Sequence, residues 1–237
     1  MILIHEKANR GHSRTGWLDS RHTFSFGGFK DPARMGFGNL RVLNEDRVIP
    51  GSGFAPHRHE SMDILTIVLS GALRHEDNQG NVQTIRAGEA QLMSAGTGIE
   101  HAEWNASKTE PAHFLQIWMI PDTEGGAPSY AQTVLPDEPG TLTIAGGPHS
   151  DALLPLRSTS TIRLIRSGAE RDAVDCAAVG GPDAKTFVQI VSGIISVEGE
   201  RLSAGDGLQL PAGETVTLRW LSEGMALVFT MPAQSRL

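Results

Sequence analysis

The sequence predicts an all-β protein made of two related barrels in tandem, and three observations support this fold class. Most apolar segments are short, alternate with polar residues and end at glycine or proline, as the strands of sandwiches and barrels do. No segment keeps a helical hydrophobic period over three turns, so we expect no long helix. The third observation is an internal repeat, which favours two barrels over one.

The strand pattern is clearest in seven segments, namely residues 40–48, 62–69, 82–86, 114–120, 187–191, 207–210 and 215–220. The chain also holds 27 glycines and 13 prolines, which show no fixed period. They therefore indicate turns between short strands and not a fibrous or low-complexity chain.

The repeat consists of two pairs of matching segments. IVLSG at 67–71 matches QIVSG at 189–193, and GEAQLMSAG at 88–96 matches GDGLQLPAG at 205–213 without a gap. Between the halves, residues 121–148 are rich in proline and glycine, as expected for a connection between two units. We place the boundary so that the first barrel spans residues 1–132 and the second spans residues 133–237.

The composition of the chain disfavours nucleic acid and membranes as binding partners. The net charge is −7, from 27 acidic and 20 basic side chains, and such a surface disfavours direct binding to nucleic acid. The single cysteine, Cys176, excludes an intramolecular disulfide and fits a reducing compartment. The sequence has no apolar run of membrane-spanning length and no signal-peptide core. We therefore expect a soluble, cytoplasmic monomer without a membrane partner.

Two pairs of alternate residues predict a metal site. His57 and His59 flank one residue, and alternate residues of a strand point to the same face roughly 6.7 Å apart. His101 and Glu103 repeat this spacing later in the chain. Two neighbouring strands would thus bring three imidazoles and one carboxylate to a single ion. Turn residues, including Gly51, precede each pair and strengthen this interpretation.

Either pair alone is weak support, because core or surface histidines explain most such spacings. The remaining histidines lack a comparable partner, and we expect them to be hydrogen-bonding or surface residues. They are His5, His12, His22, His75, His113 and His149.

The repeat provides an internal control for the metal site. Extending the two matches places Val179, Gly181, Leu218 and Trp220 at the positions of the four predicted ligands. None of these residues can bind a metal through its side chain, so the second barrel is predicted to be metal-free. The ligand types in the first barrel suit zinc, copper, iron and nickel alike. A tetrahedral zinc site with four ligands would be closed, whereas octahedral iron would keep two open positions.

Five segments of the first half resemble the pirin family, in particular its bacterial quercetinase-like members. They are GWLDSRHTFSF at 16–26, FGNLRVLN at 37–44, GFAPHRH at 53–59, AGTGIEHAE at 95–103 and HFLQIW at 113–118. The resemblance covers about residues 10 to 132, and the second half matches loosely.

This resemblance implies two cupin-type (jelly-roll) barrels in tandem, with a metal site in the first barrel formed by His57, His59, His101 and Glu103. Iron(II) is the expected metal, with zinc, copper, nickel, manganese and cobalt as alternatives. General cupins use a glutamate near the position of Asp63, but pirins do not, so Asp63 stays outside the predicted ligand set.

The resemblance also implies an activity. Some pirins are quercetin 2,3-dioxygenases, which open the central ring of a flavonol with dioxygen and release carbon monoxide. Glu103 is then the expected catalytic base, and Phe54, Met93, Trp104 and Trp118 are candidates to line an aromatic pocket. Other pirins are regulators whose binding to a protein partner depends on the state of the metal, and this alternative stays open.

Overall fold

The structure is a computed structural model that describes residues 2–168, 173–176 and 184–233, with 173–176 described as backbone. The described residues form strands and two single-turn 3-10 helices, Lys7–Asn9 and Pro32–Arg34. None of their helices is long and apolar enough to cross a membrane. The all-β prediction is therefore confirmed.

The strands are short, as the frequent turn residues predict. Those of the first half are β1 (Leu3–His5), β2 (Gly11–Arg14), β3 (Leu18–His22), β4 (Leu40–Val48), β5 (Gly53–His59), β6 (Asp63–Ser70), β7 (Ala72–Asp77), β8 (Val82–Arg86), β9 (Glu89–Ser94), β10 (Ile99–Asn105), β11 (Ala112–Met119) and β12 (Ser129–Val134). Those of the second half are β13 (Gly140–Gly146), β14 (Leu154–Pro155), β15 (Thr161–Ser167), β16 (Ala173–Cys176), β17 (Ala184–Ser192), β18 (Ile194–Val197), β19 (Glu200–Ser203), β20 (Gly207–Leu210), β21 (Val216–Trp220) and β22 (Gly224–Pro232).

Each barrel consists of one seven-stranded sheet and one four-stranded sheet. In the first barrel the orders are β12-β9-β6-β11-β4-β3-β2 and β5-β10-β7-β8. In the second they are β1-β20-β17-β22-β15-β13-β14 and β16-β21-β18-β19. The strand orders of the two halves correspond, which confirms the prediction of two related barrels.

One strand from the first half of the chain belongs to the second barrel. Strand β1 pairs with β20, so the first residues of the chain complete the sheet of the second barrel. Strand β12 pairs with β9 and continues to Val134 within the first barrel's sheet. The boundary at residue 132 stays a prediction, and a contiguous division of the chain does not capture the position of β1.

The seven-stranded sheets pack against each other through a shared apolar core. Successive residues of a strand point to opposite faces, so residues such as Leu43 and Leu115 enter this core. Phe187 of the second barrel joins them, with its ring 5.3 Å from that of Phe24. Burial of this area is the main stabilising contact between the barrels.

The interiors of the two barrels differ in polarity. The second barrel is filled by a separate apolar cluster that includes Val188, Leu208 and Leu218. In the first barrel the inward residues of the large sheet include Thr66, Gln91, Asp46 and Gln116, all of which are buried. Buried polar groups need partners, so the first interior is suited to a polar site and the second is not.

Candidate metal centre

Strands β5 and β10 place the three predicted histidine ligands side by side. In this antiparallel pair His57 lies opposite His101, and His59 lies opposite Ile99. The ring centroids are 4.8 Å apart for His57 and His59, 4.5 Å for His57 and His101, and 5.0 Å for His59 and His101. One ring nitrogen from each histidine falls within 4.8 Å of the others, which is a spacing that could hold one metal ion.

Glu103 lies deeper in the barrel than the histidines. The ladder between β5 and β10 shifts register between His101 and Glu103. The carboxylate is buried, and its Oε2 accepts a hydrogen bond of 2.7 Å from Nε2 of Gln116. Its oxygen falls within 4.8 Å of ligand atoms of His101 and His75, whereas His57 and His59 group with His101 alone. The set of four ligands therefore stays a prediction, with His101 as the residue that joins its two parts.

Two buried polar atoms show that the residues fit a metal ion. Nε2 of His101 and Oε1 of Glu103 have no hydrogen-bond partner within the described part of the chain. A buried donor or acceptor without a partner typically costs about 1–3 kcal/mol. A divalent ion bound by imidazole nitrogen and carboxylate oxygen would satisfy both atoms.

Burial favours the neutral rings of His59 and His101, and neutral imidazole is the form that binds a metal. Burial, together with the neighbouring His57 and His59, lowers the pKa of His101 to about 2. Burial and His57 lower the pKa of His59 to about 4. Burial raises the pKa of Glu103 to about 7, against the hydrogen bond from Gln116. A bound cation would favour the ionised carboxylate instead.

His75 also belongs to this cluster, and the sequence did not predict its position there. It lies on β7 opposite Glu103 and is completely buried. Its Nδ1 is 3.4 Å from Nδ1 of His101, and its Nε2 is 2.9 Å from Oδ2 of Asp77. His75 is thus a hydrogen-bonding residue, as expected, and one of its two partners is the predicted ligand His101. His75-x-Asp77 has the same alternate spacing as the two ligand pairs, and this signal could have identified it.

Four other histidines outside the cluster also make hydrogen bonds, as expected. Their partners are Gln209 for His5, Asp19 for His12, Asn44 for His22 and Glu45 for His113. Asp63, which was left outside the ligand set, accepts a hydrogen bond of 2.6 Å from the backbone N–H of Arg157.

The second barrel has apolar residues at the positions that correspond to His101 and Glu103. Leu73 and Ile195 each lie two residues after a matching glycine of the repeat, and they pair with Asn105 and Trp220. Trp220 therefore corresponds to Asn105, so the ungapped match was wrong by two residues. The stretch from Gly213 to Val216 is two residues shorter than the stretch from Gly96 to His101, which the local sequence match did not show.

With this correction, Val216 and Leu218 stand at the positions of His101 and Glu103. Val216, Leu218 and Trp220 are all buried in the apolar cluster of the second barrel. Their side chains carry no atom that binds a metal ion. Val179 and Gly181, which were matched to His57 and His59, lie outside the described residues.

An apolar cavity of about 680 Å³ lies next to Trp118, and none of the four predicted ligands is among its lining residues. Its lining includes Phe26, Met62 and Trp118, together with Lys30 and Arg41. The Trp118 ring also packs edge-on against His59, with 4.9 Å between centroids, so it connects the cavity to the cluster.

Of the four candidates for a pocket lining, Trp118 alone is among the residues that line this cavity. Met93 is completely buried in the core, and Phe54 packs against Trp17 with 5.0 Å between ring centroids. Trp104 is half-buried on β10, and its backbone pairs with Gly53 and Arg74.

Comparison with known proteins agrees with this architecture. The pirin family model matches residues 4–119, and the model of the quercetinase C-terminal cupin domain matches residues 166–231. A protein of Escherichia coli strain K12 named quercetin 2,3-dioxygenase is 37% identical over 232 residues, covering 98% of this chain and 99% of that relative.

The chain belongs to the pirin family. The crystal structure of YhhW from Escherichia coli superposes on this pirin with a TM-score of 0.92 and 36% identity, covering 100% of both chains. The structure of the bacterial pirin YhhW in complex with nickel(II) gives a TM-score of 0.91 at 36% identity, covering 98% of this chain and 99% of that one. The two-cupin fold implied by the sequence is thus confirmed.

Proposed function

We propose that this pirin is a metal-dependent dioxygenase that cleaves flavonols such as quercetin with dioxygen. One observation carries the proposal: a cluster in which buried ligand atoms of His101 and Glu103 lack partners is connected, through His59 and Trp118, to an apolar, partly aromatic cavity. His57, His59, His101 and Glu103 would hold the metal. The name of the Escherichia coli relative supports the choice of substrate.

The metal in this proposal is iron(II), with zinc, copper, nickel, manganese and cobalt as alternatives. The nitrogen and oxygen ligands suit these ions, and the related YhhW forms a nickel(II) complex. When bound, any of these ions would supply Lewis acidity that lowers the pKa of a nearby hydroxyl, and iron(II) would in addition supply single electrons to dioxygen, which zinc cannot do. We further propose that the protein works as a cytoplasmic monomer.

Glu103 is the residue that we assign as the base. Its Oε2 is held by Gln116, and its Oε1, the atom assigned to the metal, would accept the proton of the flavonol 3-hydroxyl when its own coordination loosens. The deprotonated ring then reacts with dioxygen, both oxygen atoms of which enter the products. One ring carbon leaves as carbon monoxide, and Glu103 returns its proton to the ring-opened ester.

The cavity supplies the binding surface for the aromatic substrate. Phe26 and Trp118 stand edge to face with 5.4 Å between their centroids and offer apolar surfaces to a planar ring system. Lys30 and Arg41 at the cavity wall outnumber the one acidic lining residue, Asp31, and favour a substrate that carries negative charge. A flavonol, with its acidic hydroxyls and three rings, meets both requirements.

An aerobic assay with metal-reconstituted protein tests the proposal. Loss of the quercetin absorbance band with release of carbon monoxide is the expected result, and a flavone without the 3-hydroxyl should not react. Glu103→Gln should keep the protein folded and lower turnover by about 100-fold or more. Glu100→Gln is the matched control, because Glu100 lies on the same strand but is exposed.

Absence of turnover with iron, manganese, cobalt, nickel and copper would contradict the dioxygenase proposal. If the protein still bound metal in that case, the alternative of a metal-dependent regulator with a protein partner would be favoured.

A further inference from the structure

A row of three buried groups runs from the edge of the first barrel to the candidate metal centre. The row consists of the Asp77 carboxylate, the His75 ring and the His101 ring. Nε2 of His75 lies 2.9 Å from Oδ2 of Asp77, and the side chains of both residues have 0% exposure. Nδ1 of His75 lies 3.4 Å from Nδ1 of His101, which is also buried. Water therefore cannot replace any of these contacts.

Asp77 is held as a carboxylate that only accepts hydrogen bonds. Its Oδ1 accepts from the backbone N–H groups of Gln79 and Asn81 at 2.9 and 3.0 Å, and its Oδ2 accepts from Nδ2 of Asn81 at 2.8 Å. Burial disfavours its ionisation, but the hydrogen bonds from His75 and Asn81 outweigh burial and lower the pKa of Asp77. The atom that faces Asp77 must therefore be a donor.

This requirement determines the proton positions along the row. Nε2 of His75 must carry a hydrogen to donate to Asp77, and complete burial beside a predicted cation site favours the neutral ring. A neutral ring with a hydrogen on Nε2 has a lone pair on Nδ1. Two lone pairs cannot face each other at 3.4 Å, so Nδ1 of His101 carries the hydrogen of that contact.

We propose that Asp77 and His75 are positioning residues that fix the tautomer of His101, so that its Nε2 presents a lone pair to the metal ion. The unpartnered state of that buried Nε2 agrees with this assignment. The inference rests on the metal-binding part of the proposed function and is independent of flavonol cleavage.

A backbone carbonyl fixes the same tautomer in His57. Its Nδ1 lies 2.8 Å from the carbonyl oxygen of Ala55, which only accepts, so Nδ1 carries the hydrogen and Nε2 is left with a lone pair. His101 has no such carbonyl contact among the hydrogen bonds of the described residues. In the second barrel Val197 and Val216 stand at the positions of His75 and His101, so the row is absent where the ligands are absent.

The proton positions can be measured directly in the metal-free protein. Nitrogen-15 NMR of the histidine rings should show hydrogen on Nε2 of His75 and on Nδ1 of His101 in the unmodified chain. Signals of His75 and His101 are assigned by their loss in single variants. A hydrogen on Nε2 of His101 would overturn the proposal, and this result is read from the unmodified chain once its signals are assigned.

Nickel(II) affinity, measured by competition with a chelator, tests the consequence for binding. His75→Gln keeps an N–H towards Asp77 and an oxygen acceptor towards His101, so it should bind nickel nearly as well as the unmodified chain. His75→Leu removes both groups and should weaken binding by about 10- to 100-fold. Thermal unfolding of each variant, followed by circular dichroism, confirms that it is folded.

Asp77→Asn tests the direction of the hydrogen bonds along the row from Asp77 to His101. The oxygen of the new amide is expected to keep the donors at the Oδ1 position, so its NH₂ group faces His75 and forces the hydrogen onto Nδ1 of His75. We expect nickel binding to weaken by about 10- to 100-fold and the nitrogen-15 signals to exchange tautomer. Asp19→Asn is the matched control, because Asp19 forms a similar pair with His12, 3.1 Å apart, on the surface.

Two results of the binding measurements would also overturn the proposal. The first is nickel binding by both His75→Leu and Asp77→Asn at the strength of the unmodified chain. The second is a loss in His75→Gln as complete as in His101→Ala, which would make His75 a ligand and not a positioning residue. Failure of flavonol cleavage with normal tautomers and nickel affinity would contradict the dioxygenase proposal alone.

Discussion

Replacing Phe187 with alanine should destabilise both barrels, although Phe187 belongs to the second. Its side chain has 0% exposure and lies in the core between the two large sheets. Its ring centroid is 5.3 Å from those of Phe24 and His5, 6.2 Å from that of Phe37 and 6.3 Å from that of Phe229. Two of these four neighbours, Phe24 and Phe37, belong to the first barrel, whereas His5 lies on β1 in the sheet of the second.

The expected loss follows from the cavity and the ring contacts. Phenylalanine-to-alanine changes in cores typically cost about 3–5 kcal/mol, and aromatic pairs add to the loss of apolar area. With four ring neighbours and complete burial, we expect a value near the upper end, about 4–5 kcal/mol. At a urea dependence of about 3 kcal/mol per M, the midpoint of unfolding would fall by roughly 1.5 M.

Tryptophan fluorescence can follow the first barrel by itself. Trp17, Trp104 and Trp118 lie in the first half, and Trp220 lies in the second. In a Trp220→Phe background, fluorescence therefore reports unfolding of the first barrel, while circular dichroism reports both. We expect Phe187→Ala to shift the two transitions together.

A fluorescence midpoint that stays in place while the circular-dichroism midpoint falls would refute the reasoning, because the first barrel would then be stable without the shared core. Leu221→Ala is the control for an apolar truncation. Leu221 is 55% exposed, so the change should cost less than about 0.5 kcal/mol.

Three further predictions concern the site and its pH dependence. Gly53→Ala should weaken nickel binding about tenfold or more, because the added Cβ would meet the backbone of β10; Gly16→Ala, with open space around it, should have no effect in the same chelator competition. The pKa of Glu45 is lowered from 4.5 to about 2, because hydrogen bonds from His113 and arginine charges outweigh burial. Stability from this group is present above pH 4.5 and lost as the pH falls towards 2, so Glu45→Gln should remove up to about 3 kcal/mol of pH-dependent unfolding free energy in acid titrations; an unchanged pH dependence would contradict the assignment. When the free metal concentration is roughly 100 to 1,000 times the Kd, removing the metal with a chelator should lower the free energy of unfolding by about 3–4 kcal/mol. The free energy of unfolding of a His57→Ala, His59→Ala double variant should not change on chelation.

Much of the fold could be predicted because strand formation leaves a local trace. Alternating apolar residues such as those of 40–48 and 62–69 mark strands, and the repeat marks equivalent turns in the two halves. Gly71 and Gly193 have positive φ angles of 73° and 80°, so glycine recurs at these positions because other residues would be strained. The spacing of His57 and His59, and of His101 and Glu103, is a local property of the same kind.

The local sequence does not show which strands pair with each other. Nothing in the sequence of β1 predicted that it would join the second barrel, since any alternating strand can pair with any open sheet edge. The shift by two residues that places Leu218 and not Trp220 at the position of Glu103 depends on the length of one turn.

The candidate site divides in the same way between sequence and structure. Two residues at alternate positions suffice to recognise a ligand pair, so the sequence by itself determined which four side chains to consider. Tertiary structure alone decided that His75 and Asp77 stand behind His101, because β7 and β10 become neighbours only when the barrel closes. It also decided that the first interior is polar and the second apolar, since burial depends on which faces of the sheets meet.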